Sequence, residues 1–297
     1  VRRILVTGAN KGIGLAIVRA ILEEHDDTFV YLGSRDPGRG RAAAASLPNT
    51  DEWKERIEIV SLDVSADRSV AAAAEHIARS SGGNKLYALV NNAGIGGDAG
   101  ASLAEVLHVN TLGIHRVCES FLPLMDPMGG RIVNVTSAAG PSFVATCSAE
   151  MQRFFVDGRM TAANLRDFVD ECIAMGDDKA AFAAKGLGQG SAFGGAYGLS
   201  KALANACTLL LAREHPNLRI NACTPGFIDT DMTRPYAESK GKSPADLGMK
   251  APAAGTRAPM HLLFGDLEGN GRYYGSDAQR SPLDRYRSPG SAPYTGD

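Results

Sequence analysis

The 297 residues carry 31 Lys and Arg against 33 Asp and Glu, a formal charge of -2, with 44% hydrophobic and 22% charged residues. That length holds one large α/β domain or two small ones around a sizeable core. A chain with no basic excess is not built to hold nucleic acid. A core strand begins within the first residues and no apolar run is long enough to span a bilayer, so neither a secretory leader nor a membrane anchor is expected and the default location is cytoplasmic. The five cysteines, Cys118, Cys147, Cys172, Cys207 and Cys223, are odd in number and lack any C-x-x-C spacing. They read as reduced thiols, and no metal site is proposed.

Ile4, Leu5 and Val6 form a short apolar run that reads as a strand buried on both faces, while Ile13, Ala16, Ile17, Ala20 and Ile21 recur at helical spacing. Between them stand Gly8, Asn10, Lys11, Gly12 and Gly14. A glycine turn entering a helix gathers backbone N–H groups and the positive end of the helix dipole at one point, where a pyrophosphate can sit. Gly8 would allow the turn, Gly12 the approach of phosphates, and Gly14 the packing of helix on strand.

Further strands are predicted over residues 28–34, 56–62, 86–90, 131–137, 219–224 and 271–274, with helices over 39–47, 69–79, 197–214 and 254–263. Ser65 is placed to cap the helix after Asp63 and Val64. Strands alternating with helices imply a doubly wound parallel sheet of Rossmann type in a single domain over residues 1–275. The segment between residues 142 and 190 is too long for a structureless loop. Its patterns around Ala149 to Phe155 and Thr161 to Met175 predict a helical insertion with a flexible, Gly-rich exit. Residues 227–251 have no firm period and are read as a substrate loop. The tail, 276–297, is rich in Ser, Pro, Gly and charge and is expected on the surface, partly mobile.

Thr7 followed by Gly8, Gly12 and Gly14 resembles the T-G-x-x-x-G-x-G cofactor loop of the short-chain dehydrogenase/reductase family. Later segments follow in family order: Asn91-Asn92-Ala93-Gly94, Asn110, Ser137, then Tyr197 and Lys201 as Y-x-x-x-K, then Pro225-Gly226 and Thr230. Tyr and Lys four apart recur on ordinary helices, so it is the ordered set that carries the resemblance. The carbonyl reductase branch is the nearest in pattern, with an insertion before Tyr197.

The resemblance implies NADP (NADPH) as cofactor and reduction of a ketone, aldehyde or quinone. Catalytic roles fall to Ser137, Tyr197, Lys201 and Asn110: Tyr197 as proton donor, Ser137 on the oxyanion, Lys201 on the nicotinamide ribose and lowering the Tyr197 pKa, Asn110 anchoring a relay water. Cofactor contacts fall to Gly8, Asn10, Lys11, Gly12, Ile13, Gly14, Arg35, Asp63, Val64, Asn91, Ala93, Gly94, Tyr197, Lys201, Pro225, Gly226 and Thr230. Arg35 and Lys11 would neutralise a 2′-phosphate, with Asp36 the counter-argument for NAD. Two other readings stay open, an NADP-binding regulatory protein without turnover and a sugar-nucleotide epimerase or dehydratase. Apolar positions of the insertion, among them Met151, Phe154, Phe155, Leu165, Phe168, Val169 and Met175, would cover the face through which the family dimerises, so a monomer is expected.

Overall fold

Alternation along the first strand sets the layering of the molecule. In β1 (Arg2–Val6), Leu5 joins one apolar cluster while Ile4 and Val6 join the other, so the strand is covered on both faces. The structure, a computed structural model, describes residues 1–48, 50–96, 100–188 and 195–296. With β2 (Thr28–Ser34), β3 (Ile57–Ser61), β4 (Leu86–Asn91), β5 (Arg131–Val135), β6 (Arg219–Cys223) and β7 (Tyr273–Tyr274), β1 forms a seven-stranded parallel sheet of order β3-β2-β1-β4-β5-β6-β7. The order reverses between β1 and β4, which are paired in register from Ile4 against Ala88 to Val6 against Val90. A crevice at the carboxyl ends of these two strands is the ligand position of such sheets.

Helices α1 (Gly12–Glu24), α2 (Pro37–Ala45) and α3 (Thr50–Trp53) precede β3, and α4 (Asp67–Ser80) follows it. After β4 come α5 (Leu103–Leu107), a π-helical turn His108–Leu112 and α6 (Gly113–Phe121). Helices α7 (Ala139–Val144), α8 (Ala149–Val156), α9 (Ala162–Met175) and α10 (Lys179–Ala184) lie between β5 and the long α11 (Gly195–Glu214). Helices α12 (Arg234–Ser239) and α13 (Arg257–Phe264) follow β6. One face of the sheet packs on α4, α6 and α11, the other on α1 and α13.

The two periodic segments expected before Tyr197 are α8 and α9. Ser148 caps α8 and Thr161 with Asn164 makes a capping box on α9. Both helices pack on α11. Met151, Phe155, Leu165, Phe168 and Val169 are buried there, with Phe154 and Met175 packed against them. The short α10, capped by the Asp178 carboxylate, was not anticipated because six residues are too few to show a period.

One expectation is corrected. The helix after Asp63 starts at Asp67 and has no side-chain cap; the Ser65 hydroxyl instead donates to the Asp63 carboxylate at 2.6 Å. The described start of the Gly-rich run is closely packed: a Cβ on Gly186 would stand 2.4 Å from Ser148 Oγ, one on Gly188 1.8 Å from Thr146 Oγ1, and Ser148 N–H donates to Gly186 O. The rest of that run, residues 189–194, lies outside the described residues. The described tail after Ser276 runs mostly exposed or half-buried, with Ser281 and Arg287 buried where Arg287 meets Asp277 as an ion pair.

Candidate active site

The site begins where β1 and β4 end. Thr7 Oγ1 accepts from both Asn92 N–H and Ala93 N–H at 3.0 Å, and Asn92 Nδ2 donates back to Thr7 O at 3.0 Å and Gly8 O at 3.2 Å. The glycines are dictated by this seam. Gly8 has φ +62°, and a Cβ there would lie 2.8 Å from Ala93 Cα; a Cβ on Gly14 would lie 2.4 Å from Asn92 Nδ2. Gly12, also at positive φ, faces Thr230 at ordinary contact distance. Helix α1 opens with no side-chain cap on its N-terminal N–H groups. Its first turn is therefore an uncapped anion cradle on a 13-residue helix.

Ser137, Tyr197 and Lys201 are brought together by one tight helix contact. A Cβ on Gly140 would stand 2.9 Å from the Lys201 carbonyl, so α7 can touch α11 and set Ser137 beside Tyr197. Asn110, fully buried in the π-turn, accepts from Ile95 N–H at 2.9 Å and donates to Ile95 O at 2.9 Å and Ser200 Oγ at 3.0 Å. Ser200 Oγ in turn donates to Tyr197 O at 2.8 Å. Both Asn110 amide hydrogens are spent on the protein, so its side chain braces the β4 loop against α11. π-turns of this kind gather at functional sites.

Burial pushes the Tyr197 phenol above its usual pKa, and its hydrogen bond with Ser137 pulls the other way. The Lys201 ammonium lies 5.6 Å from the Tyr197 ring centroid. Lys201 itself is buried with Nζ donating to Val135 O at 3.3 Å, and desolvation lowers its pKa to about 8.

At the cofactor edge the predicted residues separate. Arg35 is exposed, and the Asp36 carboxylate accepts from Gly38 N–H at 2.7 Å and Arg39 N–H at 3.1 Å as the cap of α2. Lys11 pairs with Asp231 at 2.7 Å, tying the glycine turn to the loop after β6. Asn10 and Ile13 are half-buried beside that turn. Asp63 accepts from Ser65 N–H at 3.0 Å, and Val64 O accepts from Arg116 at 2.8 Å. The Asn91 side chain is not in the crevice: it is buried beneath the sheet, donating to Asn134 Oδ1 at 2.9 Å. Gly94 stands 3.5 Å from Lys201 Nζ, measured from a built Cβ. Pro225 is followed by Gly226 at φ +95°, which backs onto Ser276.

A cavity of about 370 Å³ opens over Ser137 and Tyr197, walled by Phe227, Met232, Tyr236 and, from the tail, Tyr286. Sequence reasoning missed Asn92, whose only signal was its place in the Asn-Asn-Ala-Gly run, and missed the tail wall, which has no periodic signal. Because the folded chain holds the Lys201 proton less tightly than the unfolded chain, this lysine costs stability below about pH 8, and the deficit is recovered as pH rises from about 8 towards 10.5. The Lys201→Met variant is expected to unfold at higher denaturant than the parent at pH 7, by about 1–3 kcal/mol in the ligand-free protein, with the gap narrowing by pH 10. Equilibrium denaturation at the two pH values checks this.

The family model for short chain dehydrogenases matches residues 2–149. Carbonyl reductase (NADPH) 1 of Homo sapiens is 33% identical over 280 residues, 89% of this chain and 92% of its own length. Carbonyl reductase (NADPH) 3 of Rattus norvegicus is 33% identical, covering 88% of this chain and 90% of its own. Among solved structures, salutaridine reductase from Papaver somniferum superposes with a TM-score of 0.74 at 25% identity, covering 92% of this chain and 99% of that one. The ordered site from Gly8 to Lys201, the strand order and these matches place the chain in the short-chain dehydrogenase/reductase family, on its carbonyl reductase-like branch.

Proposed function

We propose that the protein reduces a ketone, aldehyde or quinone to the alcohol with NADPH. The observation that carries the reading is the convergence of Ser137 and Tyr197 on one cavity with Lys201 buried behind the phenol, in a chain that matches carbonyl reductases named for NADPH over most of its length. The uncapped first turn of α1 and the positive-φ Gly8 and Gly12 form a cradle that fits a pyrophosphate. The bound cofactor supplies the hydride received by the carbonyl carbon.

Tyr197 holds its proton at neutral pH, raised by burial, and delivers it to the carbonyl oxygen. Ser137 hydrogen-bonds the same oxygen as charge develops on it. Lys201 stabilises the phenolate that remains, which solvent reprotonates, and its ammonium would hold the nicotinamide ribose. Asn110 is a positioning residue: through Ile95 and Ser200 it fixes the first turns of α11. Gly94, Ala93, Pro225, Gly226 and Thr230 would wall the cofactor path, with Asp63 and Val64 at its adenine end.

NADPH preference is supported at the end of β2. Asp36 is turned into its own helix and Arg35 is left exposed, so a guanidinium, not a carboxylate, is available to the adenine ribose. Lys11 can join it by leaving Asp231, an exposed pair of little energy. A monomeric state is supported by α8 and α9 lying on α11 with their apolar residues buried inside the chain. A cytosolic location is supported by five free, buried thiols.

Tyr197→Phe is expected to lose about 10²–10⁴-fold in kcat while binding NADPH with nearly unchanged affinity; substantial turnover would remove the phenol from the acid role. Arg35→Ala should lower kcat/KM for NADPH by about 10–100-fold and leave NADH little changed, and an NADH preference persisting in the parent would overturn the assignment. Light scattering at micromolar concentration should give the mass of one chain. A stable dimer would refute the monomer.

A further inference from the structure

Four large apolar side chains stand exposed among the described residues: Val1, Met128, Met232 at 38% and Tyr286 at 50%. Two of them, Met232 and Tyr286, line the same cavity, the one over Ser137 and Tyr197. They come from different segments, the loop after β6 and the tail. Isolated exposed hydrophobics are ordinary, but two meeting at one cavity mouth are area waiting to be covered.

The tail segment carrying Tyr286 is built, not draped. Arg287, its neighbour, is 7% exposed and donates from Nη1 and Nη2 to the two oxygens of Asp277 at 3.1 and 2.9 Å. The same guanidinium donates to Ala292 O and Ser291 O at 3.1 Å, and Asp277 also accepts from Gln279 N–H and Gly290 N–H. A closed ring of polar bonds thus fixes residues 277–292 directly after β7. The ring also neutralises Arg287, so the one guanidinium at the cavity wall is committed to a carboxylate and does not select an anionic substrate.

We infer that Met232 and Tyr286 are specificity-determining jaws that grip the hydrocarbon frame of a bulky, uncharged carbonyl substrate, and that the Asp277–Arg287 pair is the positioning element that holds Tyr286 in place. This rests on the reductase reading of the site. The bulky compound gains by covering both side chains, whereas a small aliphatic carbonyl compound has little hydrocarbon surface to set against them.

The test compares a naphthoquinone with a small aliphatic diketone, using the full chain and NADPH. Tyr286→Ala and Met232→Ala are each expected to raise the ratio of naphthoquinone KM to diketone KM by about 10-fold, with kcat and the KM for NADPH moving far less. Tyr286→Phe keeps the ring and should keep the ratio. Arg287→Met should raise the ratio as Tyr286→Ala does, and Asp277→Asn, which keeps an acceptor, should raise it less. An unchanged ratio in Tyr286→Ala and Met232→Ala overturns the jaws, whether or not Arg287→Met folds. Should the parent oxidise NADPH with neither compound, the reductase reading fails, and the jaws are then judged by calorimetric titration of the naphthoquinone into the parent and Tyr286→Ala. Equal Kd values, or none measurable for the parent, would overturn them as well.

Discussion

Everything in this molecule hangs on the seam between the carboxyl ends of β1 and β4. Thr7 and Gly8 accept four hydrogen bonds across it, three from Asn92 and one from Ala93 N–H. Because these bonds use main-chain groups left over where two parallel strands stop pairing, they cost no ladder bond elsewhere. They force the glycine turn against Ala93, which is why Gly8 and Gly14 admit no side chain. The phosphate cradle and the loop over β4 are therefore one rigid object.

From that seam the constraint runs on to the chemistry. Ile95, just beyond Gly94, is held at both its N–H and its carbonyl by Asn110, and Asn110 holds Ser200, which holds the carbonyl of Tyr197. Thr111 adds a bond to Ser200 O at 3.0 Å. On the far side of the same helix, Asn91, Asn134 and Thr208 form a buried polar line joining β4, β5 and α11. Buried polar networks are worth little as net energy but penalise any slip of register, since a displaced member is left unpaired. The line is incomplete: Asn205, in α11, has both amide atoms buried without a partner, and nothing in the structure explains it.

Local signals made most of this legible in the sequence. The strand at Ile4 to Val6, the glycine turn, and Tyr197 with Lys201 on one helix each declare themselves within a few residues, because period and turn chemistry are short-range properties. The helices α8 and α9 were legible for the same reason, each having an apolar stripe and a capping residue. What escaped was set at long range. Asn110 reads by resemblance as a catalytic-site asparagine anchoring a relay water, and only tertiary contact reveals that its amide is engaged by Ile95 and Ser200. The tail reads as a surface, partly mobile segment, since an Asp and an Arg ten residues apart in a run rich in Ser and Pro give no sign that they close a ring. Ser65 failed as a cap because Asp63, two residues earlier, took its hydroxyl.

The electrostatics of the site follow from the same burial that builds it. Removing water raises the phenol and lowers the ammonium, so each group alone is driven towards its neutral form. The two shifts are not independent in use. Once the phenol gives up its proton, an anion stands beside a cation whose Nζ is 5.6 Å from the ring centroid, in a medium that screens them weakly, and each then stabilises the charge on the other. At neutral pH the ligand-free site holds a neutral phenol beside a charged ammonium, the working site an ion pair. That difference favours charge only when a proton is being moved, and it explains why the fold tolerates a buried lysine whose ammonium has a carbonyl for its hydrogen-bond partner and no carboxylate.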